Sequence, residues 1–194
     1  MKPEHHPLAP FLPQSAESII LGSFPPKRER WAMEFFYPNF QNDMWRIFGL
    51  IFFADKNHFI DAERKTFRKK EIEEFLIKKR IAIYDTAKSV IRHKDNASDK
   101  DLEIIKAIDI EKVIQKLPDL QHIVTTGQKA SETLIAQLEQ KGISIVVPAV
   151  GSHTVFAFKD RTLRLYRMPS SSRAYPLSLE KKAAVYKGMF GLDN

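Results

Sequence analysis

Two short segments of the sequence combine residue types suited to holding a polar ligand. Gly22-Ser23-Phe24-Pro25-Pro26 follows the apolar run Ser18-Ile19-Ile20-Leu21 and leads into Lys27, Arg28 and Arg30. Met168-Pro169-Ser170-Ser171-Ser172-Arg173 follows a second run, Leu163 to Arg167. Serine hydroxyls donate and accept hydrogen bonds, and arginine presents a fixed fork of donors. Basic, hydroxyl-bearing loops of this kind suit the oxygens of a phosphate backbone. Asp85 closes a third apolar run, Ile81-Ala82-Ile83-Tyr84, with a carboxylate that, when ionised, only accepts hydrogen bonds.

Other chemistries are excluded by what the chain lacks. It has no cysteine, hence no disulfides, thiolate metal sites, iron–sulfur clusters or cysteine nucleophiles. G-x-x-x-x-G-K-[ST], G-x-G-x-x-G and G-x-S-x-G are all missing. The six histidines form no H-E-x-x-H and no ligand pair on an expected helix, and His5-His6 falls in a proline-rich arm. No metal and no cofactor is therefore expected.

With 194 residues, 43% of them hydrophobic, the chain has the length of one domain and enough apolar material for a core. Its 31 Lys+Arg against 24 Asp+Glu leave a charge of +7, which favours a polyanionic partner. The charge is uneven. Between Glu63 and Glu74 bases alternate with acids, the pattern of a solvated helix face. Lys159, Arg161, Arg164, Arg167 and Arg173 are opposed only by Asp160, and this segment, with Lys27 to Arg30, is expected to gather positive charge beside the ligand site. No apolar run approaches the ~18 residues of a membrane span, and the N-terminus lacks the apolar segment of a signal peptide. A cytoplasmic, monomeric protein is the expectation.

The elements that must position these loops alternate in type. Residues 1–17, with four prolines, read as an extended arm packed on a domain spanning 18–194. Strands are expected at 18–21, 81–84, 122–126 and 163–167, with shorter β patterns at 143–147 and 154–158. Helices are expected from Asp43 as N-cap (with Trp45 in its core stripe), at 63–79, 102–107, 110–117 after Asp109, 129–141 before Gly142, and 179–190. Residues 27–42 read as a long loop with a helical turn at 31–35, and 92–100 as a polar loop. Such alternation predicts an α/β fold, a three-layer α/β/α sandwich around a mainly parallel sheet. Ligands bind beyond the carboxyl ends of the strands in such sheets. Gly22-Ser23-Phe24, Asp85, Gly127 and Pro169-Ser170 all fall there.

The two loops together resemble the signature loops of the uracil-DNA glycosylase superfamily. Ile81 to Thr86 is similar to the strand whose last residue reads the flipped base in that superfamily. Ile123 to Ala130 resembles its third strand and helix start. Tyr37-Pro38-Asn39-Phe40-Gln41-Asn42-Asp43-Met44-Trp45 is similar to a segment of the mismatch-type and hypoxanthine-DNA glycosylase branches, the nearest likeness. The resemblance spans residues 18 to 190 and implies a sheet of about four strands. It implies hydrolysis of the N-glycosidic bond of a flipped uracil or hypoxanthine in DNA, leaving an abasic site. Asn42 would be the catalytic residue, acting by orientation and electrostatics because an amide is no general base. Gly22, Ser23, Phe24 and Asp85 would bind the base, Asp85 accepting from a ring N–H beside a carbonyl and Phe24 stacking. Lys27, Arg28, Pro169, Ser170, Ser171, Ser172 and Arg173 would bind DNA, Arg173 entering the gap left by the flipped nucleotide. Phe24 and Met168 stand where many members carry an activating Asp or Asn and a base-donating His. That departure keeps a second reading open, a catalytically silent nucleic-acid-binding homologue.

Overall fold

The structure, a computed structural model, describes residues 2–94 and 101–191. Its strands and helices run in the order β1 (Glu4–His5), β2 (Ser18–Gly22), α1 (Met44–Phe53), β3 (Ile60–Asp61), β4 (Thr66–Phe67), α2 (Lys69–Lys78), β5 (Ile81–Asp85), β6 (Ala87–Arg92), β7 (Leu102–Ala107), α3 (Ile110–Gln115), β8 (His122–Thr126), α4 (Gln128–Gln140), β9 (Ser152–Phe158), β10 (Arg161–Met168) and α5 (Leu179–Met189).

The central sheet has the order β5-β2-β8-β10-β9. Its first four strands are parallel and β9 is an antiparallel edge, paired with β10 through the Lys159-Asp160 turn. The sheet is thus one strand wider than the four expected. Ile19, Ile20, Leu21, Ile81, Ala82, Ile83, Ile123 and Val124 are buried almost completely, the continuous apolar reading of parallel strands covered on both faces. Register fixes the site: Gly22 lies opposite Asp85, Leu21 opposite Thr125, and Met168 opposite Thr126. Gly22, Asp85, Thr126 and Met168 therefore share one edge of the sheet. The α/β fold with a mainly parallel sheet flanked by helices is as the alternation requires.

Several elements differ from expectation. Residues 102–107 form a strand, not a helix, in a second antiparallel sheet of order β1-β6-β7. Six residues are too few to establish a helical period, and the β-branched Ile104-Ile105 pair finds a partner strand in β6, which periodicity did not reveal. The segment 143–147 forms no strand: only Ile145 is buried, Val146 and Val147 are exposed, and Pro148 follows. Helix α2 begins at Lys69, because the hairpin β3–β4 takes up the residues before it. The polar loop at 92–100 lies largely outside the described residues.

The arm makes specific contacts. Glu4 and His5 pair with Val90 and Ser89 of β6, Glu4 binds the buried Arg92 guanidinium, and Phe11 forms a two-way backbone bridge with Ile83. No helix among the described residues is long and apolar enough to cross a membrane.

Candidate functional site

The first loop leaves β2 at Gly22, where a side chain has no room. A Cβ there would collide with Asp85 Oδ1 and lie 3.2 Å from the Tyr37 hydroxyl. The loop then runs beside the start of β6: Thr86 N donates to Gly22 O at 2.8 Å and Ala87 N to Ser23 O at 3.1 Å. Ser23 and Phe24 are both buried, and Phe24 packs with Ala87, Val90 and Leu102. Pro25 O accepts from Arg92 at 3.0 Å, and Pro26 O from Trp31 Nε1 at 2.7 Å. Of the two expected phosphate contacts here, Lys27 is half-buried, while Arg28 is exposed, lies over the Trp31 ring at 4.4 Å and pairs with Glu34.

Asp85 is buried at the end of β5. Its Oδ2 meets Nε2 of His6, from the arm, at 2.8 Å. The His6 ring lies edge-on to Phe24, centroids 5.3 Å apart, and 5.0 Å from Tyr84. Burial first, and then the Asp85 charge, raise the Tyr84 phenol above its ordinary pKa and keep it protonated. A base edge reaching Asp85 Oδ2 must therefore take the place of an imidazole already bonded there.

Asn42 and Asp43 open α1 with their roles exchanged. The Asp43 side chain, expected as the N-cap, makes no capping bond; Asn42 Oδ1 instead accepts from Met44 N at 2.9 Å. Asn42 Nδ2 makes no hydrogen bond among the described residues, so its donors are not committed to the cap. Asp43 is buried and binds Lys182 Nζ at 2.9 Å, a lysine with no exposed surface. Trp45 is fully buried and donates to Phe36 O.

The serine loop is pinned from below. Tyr186 Oη donates to Pro169 O at 2.8 Å, Lys182 Nζ to Ser172 O at 2.7 Å, and Asp43 N to Ser171 O at 2.9 Å. Burial pushes the Tyr186 phenol far up, so it stays a donor. Within the serine loop Ser171 is buried, and Ser170 and Ser172 are half-exposed. Their hydroxyls accept from Ser172 N and Ala174 N, so they shape the turn first. Arg173 is exposed, with its Nε 3.5 Å from Asp43 Oδ1. It borders a cleft of about 470 Å³ that also holds Arg46 and Lys56 on the cationic side and Glu180 on the anionic side. Burial first, then the Arg173 charge, lower the pKa of Arg46.

The structure thus gathers Gly22, Ser23, Phe24 and Asp85 in one cluster and Asn42, Ser170, Ser171, Ser172 and Arg173 in another. Tyr37 joins them: its hydroxyl reaches Thr126 Oγ1 at the end of β8, 2.7 Å away, from a backbone with φ of 51°. Such a conformation is uncommon for a bulky residue and recurs at functional sites. Two expected cations lie elsewhere. Lys159 and Arg161 sit at the amino end of β10, where Lys159 pairs with Glu111 and Arg161 donates to Ile114 O and Leu120 O. Basic residues on a strand eight residues long need not share its end, since the strand rises ~3.3 Å per residue. His6, Tyr37 and Lys182 escaped the sequence reading; the only signal was negative, polar groups in an arm, a loop and an amphipathic helix with no evident local task.

No family model matches the sequence, and no curated protein matches it either. Among solved structures, the chain shares its fold with a Methanosarcina acetivorans protein provisionally described as a uracil DNA glycosylase, whose structure was determined by solution NMR. The two are 22% identical, with a TM-score of 0.58 over 93% of this chain and 97% of that one.

Proposed function

We propose that this protein is a monofunctional DNA glycosylase that removes a deaminated base, uracil or hypoxanthine, from DNA. The observation that carries the reading is the pairing, along one sheet edge, of an aromatic, carboxylate-bearing cluster with a rigid basic loop, in a fold shared with the provisionally described M. acetivorans glycosylase. The branch is proposed to be the hypoxanthine-DNA or mismatch-type one, on the Asn42 segment.

In the proposed reaction, water adds to C1′ of the sugar as the bond to the base nitrogen breaks. The electron pair leaves with the base, and a proton lost from the water balances it. The base first leaves the helical stack, at a cost of about a few kcal/mol. Asp85 accepts from the ring N–H beside a carbonyl, and Phe24 supplies a stacking face worth ~1–3 kcal/mol. Asn42, with one lone pair of Oδ1 committed to Met44 N, contributes its Nδ2 donors toward a base carbonyl or the water. Ser170, Ser172 and Arg173, with Lys27 and Arg28 across the edge, hold the phosphates. Catalysis rests on positioning and electrostatics, so the rate is lower than with a carboxylate base. The protein acts on DNA as a monomer.

The test is a labelled duplex bearing one uracil or one hypoxanthine, incubated with protein in excess. Alkali-labile breaks at the lesion are expected. Their absence for both bases, with DNA still bound, would replace this reading by the silent DNA-binding homologue that the apolar Phe24 and Met168 side chains favour.

A further inference from the structure

The two oxygens of Asp85 are held by different neighbours. Oδ1 lies over the Cα of Gly22, near the Tyr37 hydroxyl. Oδ2 belongs to His6, whose side chain is only 2% exposed. The second imidazole nitrogen is also engaged: Nδ1 lies 2.9 Å from Leu8 O and 3.2 Å from Leu8 N. The backbone on either side is anchored, His6 N donating to Lys88 O at 2.9 Å and His5 pairing with Ser89. Rings of Phe24, Tyr84 and Phe36 enclose the imidazole, the first edge-on at an interplanar angle of 83°. His6 is therefore a fixed part of the wall.

A carboxylate at a strand end turns easily, because its terminal torsion is broad and two-fold. Substrate recognition needs one defined orientation, and misplacement by about 1 Å costs on the order of a hundredfold in rate. We propose that His6 is a positioning residue of the base site. Its bond to Oδ2 sets the Asp85 carboxylate so that Oδ1 is the one acceptor offered beside Gly22, and its ring edge braces Phe24. A single acceptor suits a lactam edge, one ring N–H beside a carbonyl, and disfavours a base whose ring nitrogen there is itself an acceptor. The inference rests on reading Asp85 and Phe24 as base contacts and adds to it a residue of the N-terminal arm, 79 positions from Asp85 in the chain.

The test compares wild type with His6→Ala, His6→Gln and His6→Asn on duplexes containing uracil or hypoxanthine, with thermal unfolding to establish folding. In H6A, kcat falls about 10–100-fold, while KM for DNA changes less than about threefold because the phosphate contacts are untouched. H6Q or H6N, which keep an N–H donor, recover a large part of kcat; this arm stands even if H6A does not fold. Equal kcat in folded H6A, or equal loss in all three variants, would reduce His6 to packing and overturn the proposal. A rise in kcat or a fall in KM would overturn it too, by showing that the imidazole obstructs the base. A wild-type protein that cleaves neither duplex overturns the glycosylase reading alone. Positioning is then read from binding of free uracil and hypoxanthine, and absent binding, or equal binding by H6A, overturns it as well.

Discussion

The two clusters at the sheet edge are built by opposite means. Around Gly22, Phe24 and Asp85 the walls are aromatic, and one imidazole–carboxylate contact sets the polar geometry. Beneath the serine loop there is an ionic and backbone scaffold: Lys182 without exposed surface, Asp43, and carbonyls of residues 169, 171 and 172 each accepting a hydrogen bond. Under the proposed function, the difference matches what each cluster would hold. A planar base is gripped by flat apolar faces and a single oriented acceptor. A phosphate needs backbone and side-chain donors in fixed places, which a loop provides only when something rigid lies under it.

The contrast can be broken most severely at Lys182. Lys182→Ala removes the buried partner of the Asp43 carboxylate and leaves it Arg173 and Arg46 at the cleft, and a loss of ~3–5 kcal/mol is expected in denaturant unfolding. A loss below about 1 kcal/mol would mean that the serine loop does not depend on the ionic scaffold.

Gly22→Ala attacks the other cluster. Its Cβ displaces the Asp85 carboxylate, with an expected cost of ~1–3 kcal/mol from overpacking. Cleavage should fall at least about tenfold, while affinity for undamaged duplex is unchanged. Equal weakening of undamaged-duplex binding would join the two clusters into one.

Asn42 separates stability from chemistry. Asn42→Ala removes the acceptor for Met44 N and should cost ~1 kcal/mol. Asn42→Ser restores an acceptor and should unfold like wild type, yet both variants should cleave slowly. Wild-type rates in N42S would remove Asn42 from the site.

Arg173→Ala has a small effect on the fold, since Arg173 is itself exposed and Asp43 keeps its buried partner Lys182. It should lower the salt dependence of DNA binding by about 0.9 in log–log slope. A full slope would assign the phosphates to other cations, Arg46 and Lys56 of the adjoining cleft first.

How much of this was legible follows from sequence separation. Strands that end at Gly22, Asp85 and Thr126 are marked by local apolar runs, and a parallel sheet brings such ends to one edge whatever the details. The register that puts Gly22 opposite Asp85 was not legible in this way, because strands buried on both faces are apolar at every position and a one-residue slip exposes nothing. Asp43 misled because helix capping is a local rule, whereas its lysine lies 139 residues away. Residues 102–107 misled because a short run fits two periods, and only β6 decides between them. The bases of β10 misled because charge counted along a chain says nothing of which end of a strand carries it.

By itself the sequence determined the α/β class, the strand ends at Gly22, Asp85, Thr126 and Met168, and which polar side chains follow them, since each depends on residues a few positions apart. Only the tertiary structure decided that His6 lies against Asp85 across 79 residues, that Tyr37 reaches Thr126 across 89, and that Lys182 underpins the serine loop. Buried polar groups must find partners wherever the fold supplies them, and no local pattern encodes which distant group that will be.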